Sequence, residues 1–349
     1  MNTVAILFGG QSSEHPVSLM SATSVCKHMP EKYNQYLVGI TTDGRWYHYK
    51  GNFDDIENGK WEQYPDNEEV ILSPSANHHG FYNLKTNKVD YVDVIFPVLH
   101  GQYGEDGTIQ GLCYLNHIPC VSCNMASCVL AMDKELTHIL CENAGIKMAK
   151  YLVYHRNNHP DYDEMFENVK TKLSLPCYVK PAREGSSFGA HKISDYDDFC
   201  KYCDDAFKYD TKILFEEFID GTEVGCGVLS NDTTAKVFEV IVDTEMYGYE
   251  EKYDGYKTRI VIPAENLSIE QQQKVNELGI KIANILGCDV MARVDFFNSS
   301  KGLIFNEANL IPGFTSHSLY PAMYEKDNVS YSQLLDKLIG LVYRGTNEK

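Results

Sequence analysis

A mixed α/β and α+β protein is predicted, opening with an open parallel α/β sheet and continuing into units built on antiparallel hairpins. Three stretches carry this expectation. Val4 to Phe8 is an apolar run that ends in Gly9-Gly10 and is followed by a helical pattern. Tyr91 to Leu99 is almost wholly apolar, as a parallel strand covered on both faces must be. Val290 to Asn309 alternates in two runs about a turn, so that every second side chain shares a face.

Taken in order, Val4–Phe8 reads as a strand, Gly9 to Ser13 as a turn, and Val17 to Met29 as a helix. Tyr36 to Ile40 is a second strand, and Trp46 to Tyr49 a third after the Asp43-Gly44 turn. The stretch from 49 to 70 is polar and acidic and is expected to be a surface excursion. Asp133 to Ala144 has helical character with Gly145 as its stop. Cys177 to Lys180 and His191 to Ile193 are strands around a loop. Ser268 with Gln271 forms a capping box ahead of a stripe at Val275, Leu278, Ile282 and Ile285. Three units are expected, at 1–123, 124–214 and 215–349.

A chain of 349 residues exceeds what one core normally serves. A net charge of -18 argues against nucleic acid as a partner, because phosphate repels such a surface. Without an eighteen-residue apolar run there is no membrane span. The first residues lack the basic start and apolar stretch of a signal peptide, so a cytoplasmic protein with reduced thiols is expected. Two CxxC pairs, Cys120 with Cys123 and Cys200 with Cys203, have zinc-ligand spacing. They lie far apart without knuckle turns, and the expected role is that of small buried apolar residues.

The late alternating runs carry the strongest chemical signal. Arg293 and Asp295 share one face of the first run, and Glu307 and Asn309 share one face of the second. A hairpin centred near residue 301 would set Asp295 opposite Glu307 and Arg293 opposite Asn309. Two carboxylates and an amide oxygen are hard ligands suited to Mg²⁺ carrying nucleotide phosphates. A charge cluster among apolar neighbours costs several kcal/mol unless it is used. Further upstream, Lys180 precedes the Gly/Ser loop Glu184 to Gly189, where backbone N–H groups can cradle phosphate. Glu216, Glu217 and Glu223 offer acceptors for an adenine amino group and ribose hydroxyls. Loops 9–10 and 100–107 each follow an apolar strand, where ligands bind in open α/β sheets.

In sequence order these pieces resemble the D-alanine–D-alanine ligase family. The matching motifs are Phe8 to Ser18, His100 to Gly107, Met132-Asp133-Lys134, Lys180 to Gly189 and Glu216 to Glu223. They continue with Glu251 to Tyr253, Ala292 to Asp295, and Asn306 to Leu319. They span nearly the whole chain. The resemblance implies an ATP-grasp fold and an ATP-dependent, ADP- and phosphate-forming ligase that supplies a peptidoglycan precursor. ATP would phosphorylate the carboxylate of D-alanine, and the amine of a second D-amino acid would then attack the acyl phosphate. The family also holds the D-serine and D-lactate ligases of vancomycin resistance.

The resemblance also assigns roles. Glu14 would hold the first ammonium, with Ser186 beside it and His100 supporting the site. Lys134, Lys180 and Ser187 would meet ATP phosphates, and Lys252 would grip the γ-phosphate. Glu216, with the backbone at Glu217 and Ile219, would take adenine, and Glu223 the ribose. Asp295, Glu307 and Asn309 would bind two Mg²⁺ ions, with Mn²⁺ as a substitute. Arg293 and the Gly313 N–H would form the oxyanion site, and Ser318 with Leu319 would receive the second substrate. A lid at 247–256 containing Tyr253 would exclude water. A homodimer is the family precedent.

Tyr253 argues against D-lactate as the second substrate. Leu319 stands where D-serine ligases often carry arginine, so D-alanine is favoured and D-serine is the alternative. An apolar pocket rejects an added hydroxyl only weakly. His15-Pro16, Ala308 and Leu310 depart from the family's usual residues beside Glu14 and Asn309. A dinucleotide-binding dehydrogenase would need G-x-G-x-x-G, which Gly9 to Glu14 does not supply. A nucleotide sensor without turnover is the remaining alternative, and the intact Arg293 and metal-ligand set speak against it.

Overall fold

A computed structural model describes residues 2–230, 233–242 and 258–344. Its strands are β1 (Asn2–Gly9), β2 (Tyr33–Ile40), β3 (Trp46–Tyr49), β4 (Glu68–Leu72), β5 (Gly80–Asn83), β6 (Lys88–Tyr91) and β7 (Val94–Val98), then β8 (Tyr151–His155), β9 (Cys177–Pro181), β10 (His191–Ile193), β11 (Lys212–Glu217), β12 (Gly221–Leu229), β13 (Thr233–Thr234), β14 (Phe238–Val242), β15 (Thr258–Val261), β16 (Met291–Ser299) and β17 (Gly302–Asn309). The helices are α1 (His15–His28), α2 (Asp54–Glu57), α3 (Thr108–Asn116), α4 (Met125–Met132), α5 (Lys134–Asn143), α6 (Tyr162–Leu173), α7 (Tyr196–Tyr209), α8 (Ile269–Leu286), α9 (Leu319–Lys326) and α10 (Tyr331–Arg344).

The first sheet runs β6-β5-β4-β3-β2-β1-β7. Only its β2-β1-β7 part is parallel, and β3 to β6 extend it antiparallel. The reason is length. A parallel neighbour needs a crossover, which α1 provides between β1 and β2; the short links 41–45, 73–79 and 84–87 can only reverse, and the longer 50–67 link also returns antiparallel. The apolar run at 91–99 is divided between two strands. Tyr91 ends β6, and the Asp93 N–H bonds Thr3 O where the chain turns into β7.

The 49–70 stretch is not merely a surface excursion. Ile56 and Trp61 are fully buried beneath β1 and β2. The Trp61 ring meets Phe8 edge-on at 5.1 Å. It lies where a side chain at Gly39 would stand, a Cβ there falling 2.2 Å from the indole. The acidic residues that dominate this stretch sit outside that anchor.

A four-stranded sheet, β10-β9-β11-β8, is covered by α6 and α7 through Phe166, Val169, Phe199 and Phe207. The last sheet runs β15-β14-β12-β16-β17, with β13 on β12. It packs on α8, whose Ser268–Gln271 capping box is present and whose Gly279 faces Cys226. The cysteines are free and mostly buried, and among the described residues no group of three or more His, Cys, Asp or Glu side chains is arranged to hold a metal. No described helix is long and apolar enough to cross a membrane.

Candidate active site

The late hairpin pairs Asp295 with Glu307 and Arg293 with Asn309. It does so through a bulge at Asp295/Phe296. Beyond the bulge, Phe296 pairs Phe305 and Ser299 pairs Gly302. The turn alone would set Asp295 against Asn306 and send Glu307 to the opposite face. One extra residue restores the face, a device common beside active sites.

Arg293 grips Asp295 with Nε 3.0 Å from both carboxylate oxygens and Nη2 2.7 Å from Oδ2. Asn309 lies 3.4 Å from Asp295 Oδ2 and from Glu307 Oε1. Burial pushes the Asp295 carboxyl up to about 6 against the opposing pull of Arg293. At Glu307 burial is outweighed by Lys134, Lys180 and Arg293, which hold its carboxyl low. The hard-oxygen set of two carboxylates and an amide fits Mg²⁺.

Strand β9 delivers Lys180 to the same cleft. Leu214 of β11 lies directly opposite Lys180, so Glu216 stands diagonally on the same face, with Oε2 2.6 Å from Lys180 Nζ. His138 of α5 closes on Oε1 at 2.7 Å and stacks on Tyr151. Burial opposes ionisation of Glu216, yet Lys180 and His138 hold its carboxyl down to about 2. The Glu217 N–H is spent on Lys150 O, and its Oε1 accepts from the Lys150 N–H. Ile219 lies in the link to β12, and Glu223 is on β12 opposite Phe297.

Asp133 caps α5, and Lys134 in its first turn reaches Glu184 O at 2.5 Å. Desolvation lowers the Lys134 pKa. The 182–189 loop turns through positive φ at Ser186, Ser187 and Gly189. Ser186 donates to Glu14 Oε1 across 172 residues of sequence. Glu14 is buried and its Oε2 has no hydrogen-bond partner. A Cβ at Gly101 would fall 2.6 Å from that oxygen, and one at Gly185 2.8 Å. Two glycines thus leave a cradle around one carboxylate oxygen. Burial raises the Glu14 pKa, and Glu105 beside it is raised well above the usual range by burial and by Glu14 itself.

His100 is buried, with Nε2 3.0 Å from Ser21 Oγ and Nδ1 3.2 Å from Ile311 O. Ser21 also accepts from the Phe314 N–H at 3.4 Å, so α1 joins the first sheet to the 310–318 loop. Gly313 in that loop lies against Ser318, a Cβ there meeting Oγ at 2.7 Å. Ser318 is the N-cap residue of α9, and Leu319 is its first residue. His15 binds Gly10 O through Nδ1, and Leu310 and Ala308 are buried beside the cleft. Lys252, Tyr253 and the expected lid lie outside the described residues. Sequence reasoning assigned no role to His138, Glu105 or Ser21. Their parts depend on contacts between separate units, and no local pattern marks them.

Family models now match both ends of this arrangement, as D-ala D-ala ligase N-terminus over residues 3–123 and D-ala D-ala ligase C-terminus over residues 140–340. The chain belongs to the D-alanine–D-alanine ligase family. A D-alanine–D-alanine ligase of Caldicellulosiruptor bescii is 40% identical over 99% of this chain and 96% of its own length. D-alanine–D-alanine ligase B of Clostridium tetani is 41% identical over 97% of this chain and 92% of its own. The crystal structure of the VanG D-Ala:D-Ser ligase from Enterococcus faecalis superposes with a TM-score of 0.88 at 38% identity, covering 98% of this chain and 99% of that one. As a family member the chain is an ATP-dependent ligase, and its mixed sheets are those of the ATP-grasp ligases.

Proposed function

We propose that this ligase joins D-alanine to a second D-amino acid, D-alanine by preference, for peptidoglycan precursor synthesis. The observation that carries the reading is the unpartnered Glu14 Oε2, cradled by Gly101 and by Gly185, the latter also lining the cleft with Lys134, Glu307 and Asn309. That oxygen suits the ammonium of the first substrate, with Ser186 fixing the carboxylate's other oxygen. Lys134, Lys180 and Ser187 meet nucleotide phosphates. Glu216, the Glu217 carbonyl and Ile219 take adenine, and Glu223 the ribose. Asp295, Glu307 and Asn309 hold two Mg²⁺ ions, whose bound nucleotide supplies the phosphoryl group that activates the carboxylate.

Arg293 and the Gly313 N–H then neutralise the negative oxygen that develops when the second amine attacks. Arg293 is held in place for this by its two-point grip on Asp295. His100 supports the loop that carries Gly313. Ser318 and Leu319 line the second-substrate side. Lys252 and Tyr253 belong to the lid that closes over the γ-phosphate. A homodimer, a cytoplasmic location and units divided near 123 and 214 complete the proposal, the units supported by three separate sheets.

Phosphate release by the purified chain, with the product identified by mass spectrometry, tests the reading. D-alanine alone should drive release and yield the D-alanyl–D-alanine dipeptide. Release that is independent of D-alanine would overturn it. A second reading, with D-serine as acceptor, is supported by the likeness to the VanG D-Ala:D-Ser ligase. A mixed dipeptide dominating at equal D-alanine and D-serine would favour it.

A further inference from the structure

Lys212 opens β11 with its side chain only 8% exposed. Its three ammonium protons meet three carboxylate oxygens, Asp133 Oδ1 and Oδ2 at 2.6 Å and Glu135 Oε2 at 2.7 Å. These are the two sequence neighbours of Lys134. The backbone closes a ring around the same point. Ala182 donates to Lys212 O at 2.9 Å, and Lys134 donates to Ala182 O at 3.0 Å. The strand therefore holds α5 on one side and the start of the 182–189 loop on the other. Asp210, two residues before Lys212, binds the Arg183 N–H at 3.0 Å and its guanidinium at 2.6 Å. From this anchored corner Lys134 reaches across to Glu184 O.

We propose that Lys212 is a positioning residue for the nucleotide site, clamping Asp133 and Glu135 so that Lys134 is aimed into the cleft. The proposal rests on Lys134 meeting nucleotide phosphate. Lysine is a flexible point charge, and its value at a phosphate depends on where its backbone is held. Helix α5 begins at that residue, so a loosened first turn would swing the side chain. A largely buried ion cluster at the root of that turn removes the freedom. Arg183 and Asp210 brace the loop, and Lys212 adds side-chain ties from β11 to α5's first turn beside the direct bond of the Lys134 N–H to Ala182 O.

The test is steady-state kinetics of the full chain with ATP and D-alanine varied separately, together with Mg²⁺–ADP affinity by calorimetry. Lys212→Met should raise the KM for ATP about tenfold, the size of a typical supporting-shell loss. It should weaken ADP to match and leave both D-alanine constants within about twofold of the parent. Lys212→Arg should restore most of the affinity. Asp133→Asn covers the case in which Lys212→Met fails to fold, because asparagine caps a helix as well as aspartate while the Lys212–Asp133 half of the ionic clamp is lost and only Glu135 remains. It should also weaken ATP selectively. An unchanged KM for ATP in a folded Lys212→Met or Asp133→Asn chain overturns the proposal, as does an equal rise for both substrates. Lys134→Ala separates the two levels. If it leaves ADP affinity intact, the reading of Lys134 itself fails. If it abolishes affinity while Lys212→Met does not, only the role of Lys212 fails.

Discussion

Lys180 Nζ stands 2.6 Å from Glu216 Oε2, across the antiparallel pair β9 and β11. With His138 on the other oxygen, the acid is held ionised down to about pH 2 although it is buried. Its folded pKa lies below its ordinary value. The pair's contribution is therefore complete above the usual carboxylate range and is lost as pH falls toward 2. Lys180→Met leaves the acid short of a partner and should cost about 3 kcal/mol in urea denaturation. Adding Glu216→Gln should recover part of that loss, and a purely additive double mutant would contradict the pairing. Turnover should fall at least about 100-fold in the single variant.

Glu307→Gln keeps the shape of the hairpin and removes one hard anionic ligand. The expected result is a chain with unchanged circular dichroism, at least about a 100-fold loss of turnover, and a Mg²⁺-dependent nucleotide affinity that calorimetry no longer detects. Parental affinity in the presence of Mg²⁺ would move the metal elsewhere.

Gly185→Ala tests the cradle. Gly185 is not among the glycines at positive φ, so the backbone accepts alanine, but the new Cβ falls 2.8 Å from Glu14 Oε2. The KM for the first D-alanine should rise about tenfold or more while the KM for ATP changes little, about 1.4 kcal/mol corresponding to each factor of ten. Equal binding of D-alanine in the variant would place the ammonium away from Glu14.

His100 sets an acid limit on stability. Burial lowers its pKa from 6.5 to about 4. Below pH 6.5 the unfolded chain takes up a proton that the native chain refuses, so stability falls as pH drops from 6.5 toward 4. The loss approaches roughly 3 kcal/mol. His48, also lowered to about 4 by burial, acts in the same window, so the comparison is between variants. His100→Gln should flatten the decline of urea midpoint over this range relative to the parent.

Much of the site was legible because its chemistry is local. Alternation alone placed Arg293 with Asp295 and Glu307 with Asn309, since a strand's period of two dictates shared faces. Ser268 and Gln271 announced α8 through backbone donors that every helix start leaves open. Trp61 was misplaced because its neighbours are acidic, and composition averages over a segment whereas burial is decided residue by residue. His138, Ser21 and Lys212 were silent because each works through partners 77 to 293 residues away.

By itself the sequence determined which residues can share a face, where helices start, and that hard acids, lysines and glycine turns occur in a ligase's order. The pairing of Asp295 with Glu307 was legible as a hairpin centred near residue 301, and only the tertiary structure decided how that register is reached. The turn at 300–301 would have sent Glu307 to the wrong face, and one bulged residue corrects the register. The tertiary structure also decided that Gly101 and Gly185, far apart in the chain, both stand against the same buried, unpartnered oxygen of Glu14. Local pattern follows from steric periods within a few residues, whereas register and cradle follow from how separately folded sheets pack against one another.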